Sequence, residues 1–137
     1  MLIADSKLEP IETIRQLTWV LEPLVNQFPD VCFILIGSRA RGNEKKYSDF
    51  DIGVTGGTDS VSFKKHLRLQ SQLDDLVEDS PYMFDLINLD AAPSWFFLDM
   101  DYDPSYIVGS RQRWKFFQGK LNGIRGTKAA KTPRKMD

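Results

Sequence analysis

Apolar residues Ile11, Ile14, Leu17, Leu21, Leu24, Val25 and Phe28 recur three and four positions apart, the spacing of one helix face, and Pro10 suits a first helical turn. The pattern predicts a helix that ends near Phe28-Pro29-Asp30. "VCFILI" (31–36) is short, rich in β-branched residues and apolar without interruption, which predicts a strand buried on both faces. Residues 37–48 form a bend, and "DFDIGV" (49–54) reads as a second strand. "TGGTDS" (55–60) supplies a turn and a helix N-cap. The next helix is predicted from about Val61 to Val77, with Phe63, Leu67, Leu69, Leu73, Leu76 and Val77 broadly on its inner side. "EDSP" (78–81) closes it, and "YMFDLINL" (82–89) is a third strand.

After Asp90 the stretch "PSWFFLDMDYDPSYIVGSRQRWKFF" is aromatic-rich and predicts helical pieces covering one end of the sheet. From Gly119 onward large apolar residues almost vanish, so residues 119–137 read as a basic, flexible tail behind a domain at 1–118. The order α-β-β-α-β describes an α+β fold, a small mixed β-sheet flanked by helices. The 12-residue bend is too short for a parallel crossover helix, so the first two strands should run antiparallel.

Composition narrows the class without changing that picture. A chain of 137 residues, 42% hydrophobic and 27% charged, fits one domain with one core. No apolar run approaches the roughly 20 residues of a membrane span, and "MLIADSKLEP" lacks the basic and apolar regions of a secretory signal. The single cysteine, Cys32, lies within an apolar run, which excludes a disulfide framework and argues against a cysteine zinc site. A reducing cytoplasm is the expected compartment. The net charge of −1 conceals an asymmetry: residues 1–110 carry 9 Lys/Arg against 18 Asp/Glu, and residues 111–137 carry 9 against Asp137 alone. Such a basic segment could bind nucleic acid or an acidic partner, fold back on the acidic body, or stay solvated.

The bend carries the candidate chemistry. Antiparallel pairing brings Gly37-Ser38, at the end of the first strand, beside Asp49 and Asp51 at the start of the second. Alternation puts both aspartates on one side of their strand, where a divalent cation would relieve their repulsion. Mg²⁺ takes oxygen ligands and is commonly held by one or two carboxylates plus substrate phosphates. Asp85, between Phe84 and Leu86 on the third strand, is costly to bury without a partner, and a shared metal would supply one. Gly37 allows a phosphate close to the backbone, amides around Ser38 to Ala40 could receive phosphate oxygens, and Arg39 or Arg41 could neutralise charge or brace the loop. The GxxxxGK[ST] pattern of a Walker A loop is absent. Carboxylate-held metal beside a phosphate cradle implies phosphoryl or nucleotidyl transfer.

Gly37-Ser38, ten residues, then Asp49-Phe50-Asp51 resembles the signature of the DNA polymerase β-like nucleotidyltransferase superfamily, and "GSRARG…SDFDIGV" with "MFDLINL" is similar to its minimal nucleotidyltransferase branch, the MntA-type antitoxins. The resemblance spans roughly residues 10–90. It implies that Gly37 and Ser38 bind a nucleotide triphosphate, that Asp49 and Asp51 ligate two Mg²⁺ ions, and that Asp85 completes the metal site and helps deprotonate the acceptor hydroxyl. It further implies ATP as substrate, AMP as the group moved, and a tyrosine of a HEPN-type toxin ribonuclease as acceptor. After the third carboxylate this chain departs from the family, with "SRQRWKFFQGK" where a short apolar strand or helix is usual.

Each feature also has a plainer reading. Arg39 and Arg41 could serve only to hold the loop by salt bridges. The acids of "DMDYD" (Asp99, Asp101, Asp103) lack a phosphate-cradling bend and precede Pro104, which favours a solvated loop. Gly56-Gly57 reads as a turn, His66 as a helix residue, and Trp95, Phe96 and Phe97 as core. Tyr47, just before the acids, is a candidate nucleotide contact or modified residue. A small-molecule acceptor of aminoglycoside type, and a non-catalytic subunit that neutralises its partner by occlusion, are the rival functions.

Overall fold

Strand β1 (Cys32–Ile36) sits inside a four-stranded sheet of order β3-β2-β1-β4, which explains why all five of its residues are buried. The computed structural model describes residues 10–45, 48–56 and 59–131. In chain order these form α1 (Pro10–Gln27), β1, α2 (Ser38–Arg41), β2 (Phe50–Thr55), α3 (Phe63–Leu76), β3 (Phe84–Asn88), α4 (Ser94–Leu98), β4 (Ser105–Gly109) and α5 (Arg111–Lys131). As the short bend predicts, β1 and β2 are antiparallel, and Ile36 pairs with Asp51. Strands β2 and β3 are parallel, joined through α3, and their register sets Asp51 opposite Asp85.

Alternation along the strands divides the core in two. Phe33, Leu35, Phe50, Ile52, Val54, Phe84 and Leu86 face the layer of α1 and α3, where they meet Leu17, Leu21, Leu24, Leu69 and Leu73. Cys32, Ile34 and Ile36 face the other way and pack with Phe97 of α4 and Phe117 and Leu121 of α5. Asp51 and Asp85, out of phase with Phe50, Ile52, Phe84 and Leu86, therefore belong to the α4/α5 side of the sheet. The apolar periodicity of α1 is realised, with Leu17, Val20, Leu21, Leu24 and Phe28 buried. Among the described residues, no helix is long and apolar enough to cross a membrane.

Three expectations about the secondary-structure elements need correcting. Phe63, Leu67 and Leu76 of α3 are exposed, because the inward stripe runs through Leu69, Leu73 and Val77. The helix is capped by Ser62, whose hydroxyl accepts from the Lys65 amide at 3.1 Å, rather than from within 55–60. A fourth strand was not foreseen: β4 pairs antiparallel with β1, so an apolar strand does follow the third carboxylate, upstream of the basic segment. The boundary expected after residue 118 falls inside α5, which continues to Lys131 and buries Leu121. The helix holds to the body because Phe117 and Leu121, one turn apart, both reach the α4 side of the core. Residues 132–137 lie outside the described residues.

Candidate active site

Strand β1 ends on Gly37, with φ 77° and ψ −159°, a conformation essentially restricted to glycine. It is demanded by what lies beside it. A Cβ on Gly37 would collide with a carboxylate oxygen of Asp51 and stand 2.9 Å from the Asp51 Cβ. The chain then makes the single turn of α2, in which the Ala40 and Arg41 amides donate to Gly37 O at 3.1 and 3.0 Å. Gly42, with φ 85°, ends the turn by donating to Ser38 O at 2.9 Å. The Gly37 amide itself donates to the Tyr102 hydroxyl at 2.8 Å.

The three candidate carboxylates gather at one end of β2 and β3. Asp51 is half-buried, whereas Asp49, one residue ahead of β2, and Asp85, second in β3, are exposed. Burial raises the Asp51 carboxyl above its ordinary value, and the negative charges of Asp85 and then Asp49 raise it further. The expectation that Asp85 is buried is corrected. Phe84 and Leu86 turn to the opposite layer, so the residue between them emerges on the open face. Among the described residues, no three His, Cys, Asp or Glu side chains stand as a ready-formed metal cage. The donor set nevertheless suits a hard divalent cation: it offers carboxylate oxygens only, and the most buried of them is already disfavoured as an anion by its neighbours.

The two arginines of α2 part company. Arg39 is buried, its guanidinium lies 3.8 Å from the centre of the Phe50 ring, and Nη2 and Nε donate to Ser48 O at 2.9 and 3.3 Å. It braces the loop that carries Asp49, and its contacts are with protein. Arg41 is exposed, pairs with Asp101 at 2.9 Å and lies 5.2 Å from the centre of the Tyr102 ring. Ser38 is half-buried on the first position of α2.

The plainer readings fare unevenly. His66 is a structural residue: Nε2 donates to Leu86 O at 2.6 Å, tying α3 to β3. Asp101 and Asp103 are exposed and ion-paired, to Arg41 and Arg125 respectively. Phe97 is core, but Trp95 is exposed. Tyr47 and Gly57 lie outside the described residues. Tyr102 is the residue at this site that the sequence reading passed over. Its signal was weak, one aromatic residue between two acids, and it matters only because the unforeseen β4 carries the 99–104 loop alongside the end of β1.

Residues 21–116 match the family described as polymerase beta, nucleotidyltransferase. No curated protein matches the chain by sequence. Solved structures share the fold. A toxin–antitoxin crystal structure with AMP-PNP superimposes with a TM-score of 0.60 at 19% identity, covering 85% of this chain and 90% of that one. The tri-AMPylated Shewanella oneidensis HEPN toxin in complex with MNT antitoxin gives 0.57 at 19%, covering 89% and 91%. A toxin–antitoxin MntA–HepT structure gives 0.55 at 18%, covering 85% and 87%. The matched segment runs from within α1 through β4 into α5 and so includes the bend, all three carboxylates and Tyr102. This chain belongs to the polymerase β nucleotidyltransferase family.

Proposed function

We propose that the protein is a Mg²⁺-dependent nucleotidyltransferase that moves AMP from ATP to a hydroxyl of a partner protein, a tyrosine of a HEPN-type toxin, and so acts as an antitoxin in the cytoplasm. The observation that carries this reading is the packing of Gly37 on Asp51, which makes the phosphate-receiving bend and the acidic edge one site. The toxin–antitoxin neighbours, one with AMP-PNP and one with an AMPylated toxin, favour ATP and a protein acceptor.

In this reading Gly37 and Ser38 receive the triphosphate, with Arg41 at the rim and Arg39 holding the loop beneath. Asp49, Asp51 and Asp85 would hold Mg²⁺, which supplies charge neutralisation to the phosphates when bound. The acceptor oxygen bonds to the α-phosphorus, the bond from that phosphorus to the bridging oxygen breaks, and pyrophosphate leaves. The hydroxyl proton passes to Asp85, whose exposure leaves it open to a macromolecular acceptor.

The test is incubation with α-labelled ATP, Mg²⁺ and the product of the neighbouring gene. Label should move to that protein and should not move when Asp49 and Asp51 are both changed to alanine. Equal labelling by the double variant, or none by the native protein, overturns the enzymatic reading. Tight complex formation without transfer would instead mark a binding subunit, and transfer to an aminoglycoside alone would mark a small-molecule enzyme.

A further inference from the structure

The Gly37 amide is the first donor of the bend, and it is committed to the hydroxyl of Tyr102 from a loop 65 residues further along the chain. That loop is itself restrained at several points. Arg41 of α2 pairs with Asp101 and stacks over the Tyr102 ring. From the far side, Arg125 of α5 donates through Nη2 to the carbonyls of Met100, at 3.1 Å, and of Tyr102, while Nη1 reaches Asp103 at 3.1 Å. Leu121 and Ile124, on the same stretch of α5, join the apolar cluster in which Tyr102 packs. A continuous set of contacts thus runs from the basic C-terminal helix through the 99–104 loop to the phosphate-receiving bend.

We infer that Tyr102 is a positioning residue for the Gly37–Ser38 bend, clamped by Arg125, and that this pair governs nucleotide binding more than the transfer step. The inference rests on the nucleotidyltransferase reading and deepens it. The Tyr102 oxygen accepts from Gly37, which leaves its own proton to be offered outward. Burial pushes that phenol above its ordinary value, so the proton is retained at neutral pH. The hydroxyl therefore fixes the amide's direction and also presents an O–H beside the bend, where phosphate oxygens would be received. Without it the half-buried Gly37 amide loses its partner, and the bend is free to turn away from the geometry that triphosphate oxygens need. Arg125 acts one step back: it fixes the backbone on which Tyr102 is mounted.

The experiment titrates AMP-PNP with Mg²⁺ into the native protein, Tyr102→Phe, Arg125→Ala, Arg125→Lys and the Tyr102→Phe/Arg125→Ala double variant. It is paired with transfer rates at saturating ATP and with hydrogen exchange at the Gly37 amide. Tyr102→Phe should weaken AMP-PNP binding about three- to tenfold, the loss of one neutral hydrogen bond. The saturated rate should stay within about twofold, and the Gly37 amide should exchange faster. Arg125→Ala should act in the same direction, Arg125→Lys should recover part of the loss, and the double variant should be little worse than Tyr102→Phe. Unchanged AMP-PNP affinity in Tyr102→Phe, with the native protein binding and active, overturns this inference alone. A fall confined to the saturated rate does the same, and full additivity of the two changes removes the Arg125 link. A native protein that neither binds AMP-PNP nor transfers AMP overturns the nucleotidyltransferase reading and this inference with it. Thermal unfolding of each variant separates these outcomes from loss of the fold, and the conservative Arg125→Lys change keeps the question answerable if Tyr102→Phe unfolds.

Discussion

Gly37 and Asp51 are packed so closely that no side chain fits between them: a Cβ on Gly37 would stand 2.9 Å from the Asp51 Cβ. The contact follows from register, since Ile36, the last residue of β1, pairs with Asp51 near the start of β2. The sheet thus brings the end of one strand and the acid of the next to the same point before any ligand arrives.

Gly37→Ala should therefore fail twice. The alanine must adopt a positive φ with extended ψ, which costs on the order of 1–3 kcal/mol, and its methyl must displace the Asp51 carboxylate. Urea unfolding should show a lower midpoint with an unchanged slope, and AMP-PNP binding should be lost even at temperatures where the variant stays folded. A variant that binds AMP-PNP normally would contradict the role given to this contact.

Asp51→Asn should separate stability from function. At neutral pH the half-buried Asp51 anion is opposed by burial and by the charges of Asp85 and Asp49, so a neutral isostere removes an unfavourable interaction. The variant should melt at the same temperature or a few degrees higher, while transfer of AMP is abolished. Added Mg²⁺ should raise the melting temperature of the native protein and leave that of the variant nearly unmoved.

The parts of this site legible in the sequence are those written in local pattern. Gly37-Ser38 and Asp49-Phe50-Asp51 lie in one short segment, and the length of the bend forces the antiparallel pairing that joins them. Asp85 was legible as a residue but not as an exposed one, because "MFDLINL" shows an apolar run without showing which layer each side chain faces. Strand β4 was lost among aromatic residues: "SYIVG" is short, and only its pairing with β1 makes it a strand. Tyr102 and Arg125 were out of reach for the same reason. Their contacts are with tertiary neighbours more than twenty residues away, and Arg125 sits in a stretch whose few apolar positions, Leu121 and Ile124, hide its helical anchorage.

Arg39→Lys is expected to destabilise the protein although it preserves charge. The guanidinium both stacks on Phe50 and forks onto Ser48 O, and an ammonium cannot reproduce the two together. The expected loss is about 1–2 kcal/mol, from the part-buried hydrogen bonds to Ser48 O and the cation–π contact. Denaturant unfolding measures it; a neutral result would show that the loop stands without this brace.

Cys32 should be inert while the protein is folded. The thiol is fully buried, and burial pushes it up to about 12, so the reactive thiolate is scarce and out of reach. A thiol reagent at pH 8 should modify it only at the rate of unfolding, with prompt reaction in denaturant. Fast modification of the native protein would contradict the packing of β1.

Asp30 and Lys65 tie the loop before β1 to α3 through contacts of 2.8 and 3.0 Å. The hydrogen bond from Lys65 lowers the Asp30 carboxyl below its ordinary 3.8, with burial opposing and the Lys65 charge assisting. A carboxylate held lower in the folded state than in the unfolded chain contributes stability that is present above 3.8 and is lost as pH falls through the lowered value. Because Asp30 is substantially exposed, solvent screening limits the contribution to below about 1 kcal/mol. Lys65→Met should therefore cost a few tenths of a kcal/mol at neutral pH and nothing once Asp30 is protonated. Urea midpoints measured from pH 7 down to pH 2 should show the native and variant curves converging at the acid end. Parallel curves across that range would show that the pair is a contact of geometry without energetic consequence.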